Sequence, residues 1–368
     1  MRILIVRLRA IGDVIHGVPV ACAVKDFVPG AFVGWLAEDW ASEVLAGHPA
    51  IDQRFAVPQG WTRSAPWILR LRRELRALRF DVVVDLQGVR SSVFATILSG
   101  APRRLGFVGM VSHEARRLVT NEDWLRALSR AIAGVLHFEL VQASSDLIVD
   151  RYLEILSPLG VNVTKARFGL PELEEDAREI RRVIHDVGMG EQPFAVVNSG
   201  GPVWRMWPAD RFAAVARYLG STHRMPTIVV QGLRDWEQQA AGKIVAESGG
   251  RARLAPPLSL GQLSALARRS RVFISGDTGP LHLAAAVGAP CIGLIGHDLA
   301  GRVRPYGAGN ILVRGEPMSR HQASREDLGV EAMKAISVDD VCRACDRVLL
   351  STPASDAMPM RRFERNVP

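Results

Sequence analysis

A chain of 368 residues with 48% apolar side chains is too long for one ordinary core and apolar enough to bury two. Its formal net charge of +8 comes from 46 Lys and Arg against 38 Asp and Glu, with arginine supplying nearly all the cations, which suits phosphate or carboxylate partners. Four cysteines exclude a disulfide scaffold and point to a reducing compartment, and no apolar run approaches the roughly 18 residues of a membrane-spanning helix.

In chain order, residues 3–8 read as a buried strand, Gly12-Asp13 as a turn, and residues 14–27 as a helix. The first strand is interrupted by arginine and too short to open a signal peptide, so a cytoplasmic protein is expected. Residues 31–36 and 81–85 are short β-branched runs and predict further buried strands. Between them Trp67, Leu71, Leu75 and Leu78 recur at helical spacing, while Arg70, Arg72, Arg73, Arg76 and Arg79 occupy the other faces. Residues 106–146 have weak periodicity and read as loop with a short helix. Residues 147–159 are amphipathic and stop at Gly160, a C-cap, and Pro171-Glu172-Leu173 reads as a linker.

The second half restarts with strands at residues 194–197, 227–231, 272–275 and 291–295, separated by helices that begin near Pro208, Glu237, Leu260 and Leu281. Strands alternating with helices at this spacing build parallel sheets covered on both faces. The expected fold class is therefore α/β, with two Rossmann-like domains, residues 1–170 and 171–350, whose parallel sheets face each other across a cleft. A last helix over residues 338–350 precedes a polar tail, residues 351–368, expected to be disordered or to pack back on the first domain. Cys342 and Cys345, with zinc-like spacing but no second ligand pair, read as one face of that helix.

The stretch Ser275-Gly276-Asp277-Thr278-Gly279-Pro280-Leu281-His282 carries the strongest chemistry. A strand ending in small polar residues and turning into a helix presents unpaired N–H groups and a positive dipole end, which together receive an anion. The loop Asn198-Ser199-Gly200-Gly201, with Arg205 ahead of Pro208, is a second phosphate cradle in the same half. Glu237, beyond another strand end, is a carboxylate of the kind that binds ribose hydroxyls. Asp13 reads either as an N-cap carboxylate or as a general base. No strict G-x-G-x-x-G, Walker loop or metal-ligand cluster is present.

Taken in order, these segments resemble the ADP-heptose:lipopolysaccharide heptosyltransferase family. The resemblance rests on Ile3-Leu4-Ile5-Val6-Arg7, Gly12-Asp13-Val14-Ile15-His16-Gly17, Phe80-Asp81-Val82-Val83-Val84-Asp85-Leu86-Gln87-Gly88, Val149-Asp150-Arg151-Tyr152, Trp204 to Pro208, and Asp277 to Ala285. It implies a GT-B fold and inverting transfer of heptose from ADP-heptose to the lipopolysaccharide inner core, with no cofactor and no metal. Asp13 would then be the general base. Arg205, where many members carry Lys, would meet the leaving diphosphate with Thr278 and Gly279. Asp277 would hold sugar hydroxyls and His282 would line the pocket.

Arg63, Arg103 and Arg116 would bind the anionic acceptor, and together with Arg104 and the arginine face from Arg70 to Arg79 they would draw the first domain to the inner leaflet of the membrane. Arg9-Ala10 departs from the family's small hydroxylic residues beside the base, and Leu147 stands where a His is common. Two other readings are open: a nucleotide-sugar epimerase on the same scaffold, and a non-catalytic binder of nucleotide sugar or nucleic acid. The basic runs lack the interleaved aromatics that single strands stack on, so no nucleic-acid partner is expected.

Overall fold

The computed structural model describes residues 1–107, 138–296, 303–316 and 324–351. The chain divides after Leu173, at the end of the expected linker, into a first unit Met1–Leu173 and a second that takes nearly all residues from Glu174.

The first unit contains β1 (Arg2–Val6), α1 (Ile11–Phe27), β2 (Phe32–Glu38), α2 (Asp39–Ser42), β3 (Gln53–Val57), α3 (Ala65–Ala77), β4 (Val82–Asp85), α4 (Arg90–Ser99), β5 (Arg103–Phe107), β6 (Phe138–Val141) and α5 (Ile148–Glu154). Its six strands are all parallel, in the order β3-β2-β1-β4-β5-β6. β1 is central, so Ile5 pairs with Trp35 on one side and Val84 on the other. Residues covered on both faces have no use for polar alternation, and Ile3, Leu4, Ile5 and Val6 are all fully buried. Leu71 and Leu75 of α3 close one face of this sheet against Leu4, Val6, Phe55 and Val83.

The second unit runs α6 (Glu174–Asp186), β7 (Ala195–Asn198), α7 (Ala209–Thr222), β8 (Thr227–Val230), α8 (Asp235–Glu247), β9 (Ala252–Leu254), α9 (Leu260–Arg269), β10 (Val272–Gly276), α10 (Gly279–Ala286), β11 (Cys291–Ile295), β12 (Ile311–Arg314), α11 (Arg325–Ala335) and α12 (Val338–Ser351). Its strands are again all parallel, in the order β12-β11-β10-β7-β8-β9. Counted from the first strand of each unit, both sheets follow the doubly wound order 3-2-1-4-5-6. Trp207 anchors the second core, edge-on to Phe212 at 4.9 Å, with its indole N–H donated to the Ile336 carbonyl at 3.1 Å. Ser259 caps α9 by accepting from the Gln262 amide at 3.1 Å, while Gln262 reaches back to the Ser259 amide.

Several expectations change. The stretch read as loop and short helix holds strand residues at both ends, β5 through Phe107 and β6 from Phe138; residues 108–137 lie outside the described residues. The helix expected over 147–159 breaks after Glu154 and resumes as a 3-10 turn, Ser157–Leu159. Pro158 is the cause, since it removes an amide and its ring clashes with the preceding turn. Gly160 does terminate the segment, at φ +74°. The cysteines are free and buried, with Cys342 and Cys345 on the inner face of α12. No described helix is long and apolar enough to cross a membrane.

Candidate nucleotide-sugar and base sites

In an open parallel sheet, ligands bind beyond the carboxyl ends of the strands where the order reverses. In the second unit that point lies between β7 and β10, whose carboxyl ends place Asn198 opposite Ser275. The Asn198 amide nitrogen donates to Ser275 Oγ at 2.9 Å and to Thr278 Oγ1 at 3.2 Å, tying the two strand-end loops together. Thr278 is the N-cap of α10, with an extended backbone, and its hydroxyl donates to the Gly276 carbonyl at 3.3 Å.

The loop after β7 is held from α8. The Gly201 amide donates to Glu237 Oε1 at 2.7 Å, and the Arg234 amide donates to Glu237 Oε2 at 3.1 Å. The Trp236 indole N–H reaches the Gly201 carbonyl at 3.3 Å. Gly201 sits at φ +143°, and a Cβ there would lie 2.8 Å from the Thr278 methyl, so the loop closes on Thr278 only as glycine. Glu237 is thus nearly buried with both oxygens on backbone amides. Ser199 and Asn198 are buried beside it, and Gly200 follows.

Arg205, at the end of a 3-10 turn, is aimed by Asp277. Its Nη1 lies 3.0 Å from Asp277 Oδ2 and donates to the Asp277 carbonyl at 3.0 Å. The guanidinium also lies 4.3 Å from the centre of the Trp204 ring. His282, one turn into α10, hydrogen-bonds Asp277 Oδ1 through Nε2 at 3.1 Å. Burial alone would raise the pKa of Asp277, but the hydrogen bond and charge of His282, with the charge of Arg205, hold its carboxyl below the ordinary range. Both Asp277 oxygens are engaged within the protein, which fits an aiming role better than the sugar-hydroxyl contact expected of it. Asn198, Arg205, Asp277, Thr278, Gly279 and His282 are therefore brought together at one strand-end crevice.

In the first unit the equivalent reversal lies between β1 and β4, where Val6 pairs with Asp85. Asp13, in the first turn of α1, projects there with its side chain 37% exposed. The Arg7 guanidinium forms an ion pair with Asp13 Oδ2, and the Arg7 side chain is only 10% exposed. The helix opens at Ile11 with Ala10 as its N-cap, so Asp13 is not the N-cap residue it was expected to be; it stands at the third helical position, where its Oδ2 lies 3.5 Å from the Ala10 amide. Burial alone would lower the Arg7 pKa; nearby Tyr152, Asp13 and Asp85 outweigh it and leave it above its ordinary value.

Asp85, the last residue of β4, is buried and accepts from the Gln87 and Gly88 amides and from Ser92 Oγ, each at 2.9 Å. Burial pushes its carboxyl above the ordinary range, with those hydrogen bonds and Arg7 pulling against it. Gln87 Oε1 in turn accepts from the Leu8 amide at 2.7 Å, locking the two strand-end loops together.

The acceptor arginines are scattered. Arg63 is exposed at the end of the turn Trp61–Arg63, which follows β3 on the same sheet edge as Asp13. Arg103 opens β5 and so lies at the opposite edge of the sheet. It pairs with both oxygens of Glu139, at 2.8 and 2.9 Å, and donates to the Pro158 carbonyl at 3.2 Å. It staples β5 to β6, which engages the guanidinium away from the strand-end edge where an acceptor contact was expected of it. Arg116 lies outside the described residues. Arg7 and Asp85 were missed as site residues; the signal was a charged residue at the end of an apolar strand, an expensive place unless the partner is also there.

Two six-stranded doubly wound sheets in one chain, each with its polar groups at the reversal point, are the architecture of GT-B glycosyltransferases. The model of glycosyltransferase family 9 (heptosyltransferase) matches residues 68–329, and the chain belongs to that family. It is 25% identical over 326 residues to lipopolysaccharide heptosyltransferase 1 of Pseudomonas aeruginosa, covering 84% of this chain and 83% of the relative. The fold is similar to that of a family 9 glycosyl transferase from Veillonella parvula, with a TM-score of 0.78, 23% identity, and coverage of 95% of this chain and 98% of the other. It is also similar to an E. coli heptosyltransferase solved with ADP, with a TM-score of 0.72, 18% identity, and coverage of 95% and 100%.

Proposed function

We propose that the protein transfers heptose from ADP-heptose to the inner core of a lipopolysaccharide precursor, with inversion at the anomeric carbon. The observation that carries the mechanism is the Asp13 carboxylate. One oxygen is engaged by a nearly buried arginine, and the side chain still reaches solvent at the ligand-binding sheet edge. In this reading Asp13 takes the proton of the acceptor hydroxyl, whose oxygen bonds to the anomeric carbon as the bond from that carbon to the diphosphate breaks. ADP leaves with the electron pair. Arg205, the Thr278 hydroxyl and the amino end of α10 meet the growing charge on its phosphates. Arg63 attracts the acid groups of the acceptor.

Purified protein is expected to release ADP from ADP-heptose only when a Kdo-lipid A acceptor is supplied. Consumption of ADP-heptose, or appearance of an isomer, in reactions lacking acceptor would overturn the transferase reading in favour of an epimerase.

Gly276 offers a separate check on the donor side. A Cβ at this position would lie 2.6 Å from the Arg205 carbonyl oxygen, a backbone atom that cannot swing away. Gly276→Ala is expected to displace the Arg205 turn, costing about 1–3 kcal/mol of stability and weakening ADP binding about tenfold in calorimetric titration. ADP affinity equal to that of the unsubstituted protein would disconnect this turn from the nucleotide.

A further inference from the structure

We propose that the outward face of α3 is a docking surface for an anionic lipid bilayer. Leu71 and Leu75 point into the core, and the opposite side of the helix presents Leu69, Arg72, Arg73 and Arg76, all exposed. Leu69 is 63% exposed, the one large apolar side chain in that ring of cations. Glu74 is the only acid in α3; it lies off this face and is held by Arg70 at 2.8 Å, so the outward charge is not neutralised within the helix. Beyond the helix end, Arg79 adds another exposed cation.

The chemistry fits a sheet of negative headgroups. Thirteen helical residues present a row about 20 Å long, and guanidinium groups bind phosphate through paired donors. Leu69 is placed to enter the headgroup layer between them. A nucleic acid fits less well, because Trp67 is half-buried and already stacked under Arg70 at 4.9 Å, leaving no aromatic platform for bases. The face also lies on the flank of its sheet, where α3 packs, and not at the strand-end edge that carries Asp13. It is therefore separate from the position where the acceptor hydroxyl would be activated.

The test is partitioning of the full chain onto phosphatidylcholine vesicles with and without phosphatidylglycerol, at low and high salt. Binding is expected only to the anionic vesicles, falling steeply as the screening length shortens. Each arginine near such a surface contributes about fivefold, so Arg72→Gln with Arg73→Gln is expected to weaken partitioning about 25-fold. The same charge removed from α6, by Arg178→Gln with Arg182→Gln, is expected to leave it within about twofold.

Melting temperatures should match across all three proteins, since each substituted side chain is exposed. Turnover of an acyl-free, water-soluble acceptor should be unchanged in the α3 variant. Four results would each overturn the proposal: equal binding to neutral vesicles, undiminished partitioning of the α3 variant, an equal loss in the α6 variant, or lost turnover of the soluble acceptor. Tighter capture by single-stranded RNA, lost in the same α3 variant, would reassign the face to nucleic acid and overturn it as well.

Discussion

Asp13→Asn is expected to lower turnover by about 100- to 10,000-fold, the range a positioned general base contributes. ADP affinity should stay within about twofold of the unsubstituted protein, because the groups proposed to hold the nucleotide belong to the second unit and Asp13 to the first. The amide keeps the shape of the carboxylate but cannot take the acceptor proton. It also leaves the nearly buried Arg7 guanidinium without its anionic partner, at a cost of about 1–3 kcal/mol. A thermal melt must therefore accompany the kinetics, so that a rate loss is read on folded protein. Initial rates at saturating donor, set beside calorimetric ADP titration, separate the chemical step from binding. A rate within tenfold of the unsubstituted protein would leave Asp13 as the ion-pair partner of Arg7 and nothing more.

The second large effect is expected at Arg205. Arg205→Met keeps the length of the side chain and removes its charge, and should lower kcat by about 100- to 1,000-fold, as loss of one preorganised charge stabiliser does elsewhere. The substitution also takes from Asp277 one of the groups that hold its carboxyl below the ordinary range. Arg205→Lys should restore part of the rate, since an ammonium can still face the proposed diphosphate but lacks the planar fork that leaves a second nitrogen free while Nη1 holds Asp277. Single-turnover rates at saturating donor are the measurement. Equal rates for the methionine and lysine variants would show that charge at this position is not what lowers the barrier.

The central strands were legible in the sequence because burial on both faces writes them as unbroken apolar runs: β1, β4, β7, β8, β10 and β11 all fall where such runs stand. The edge strands were not. β3 exposes Gln53, Arg54 and Ala56, β9 has three residues, and β12 is a short, half-buried apolar run that ends on an exposed Arg314, so none shows the fully buried run of the central strands. The donor-side crevice was legible for a related reason, since Asn198, Arg205 and Asp277 to His282 follow two of the clearest strands. Arg7 was not, because its meaning depends on β1 lying beside β4 and on α5 carrying Tyr152 nearby, neither of which local spacing reveals. Arg103 misled for the opposite reason. A basic pair ahead of an apolar run does not disclose that it opens a strand, and the first residue of a parallel strand lies at the edge away from the chemistry.

The shared winding of the two sheets has a consequence for descent. Each half gathers polar groups at the ends of its own neighbouring strands, Arg7, Asp13 and Asp85 in one and Asn198, Arg205 and Thr278 in the other. Under the proposed reaction, a lineage that remodels the loops of one half alone inherits a new sugar or a new alcohol, while the partner half passes on unaltered.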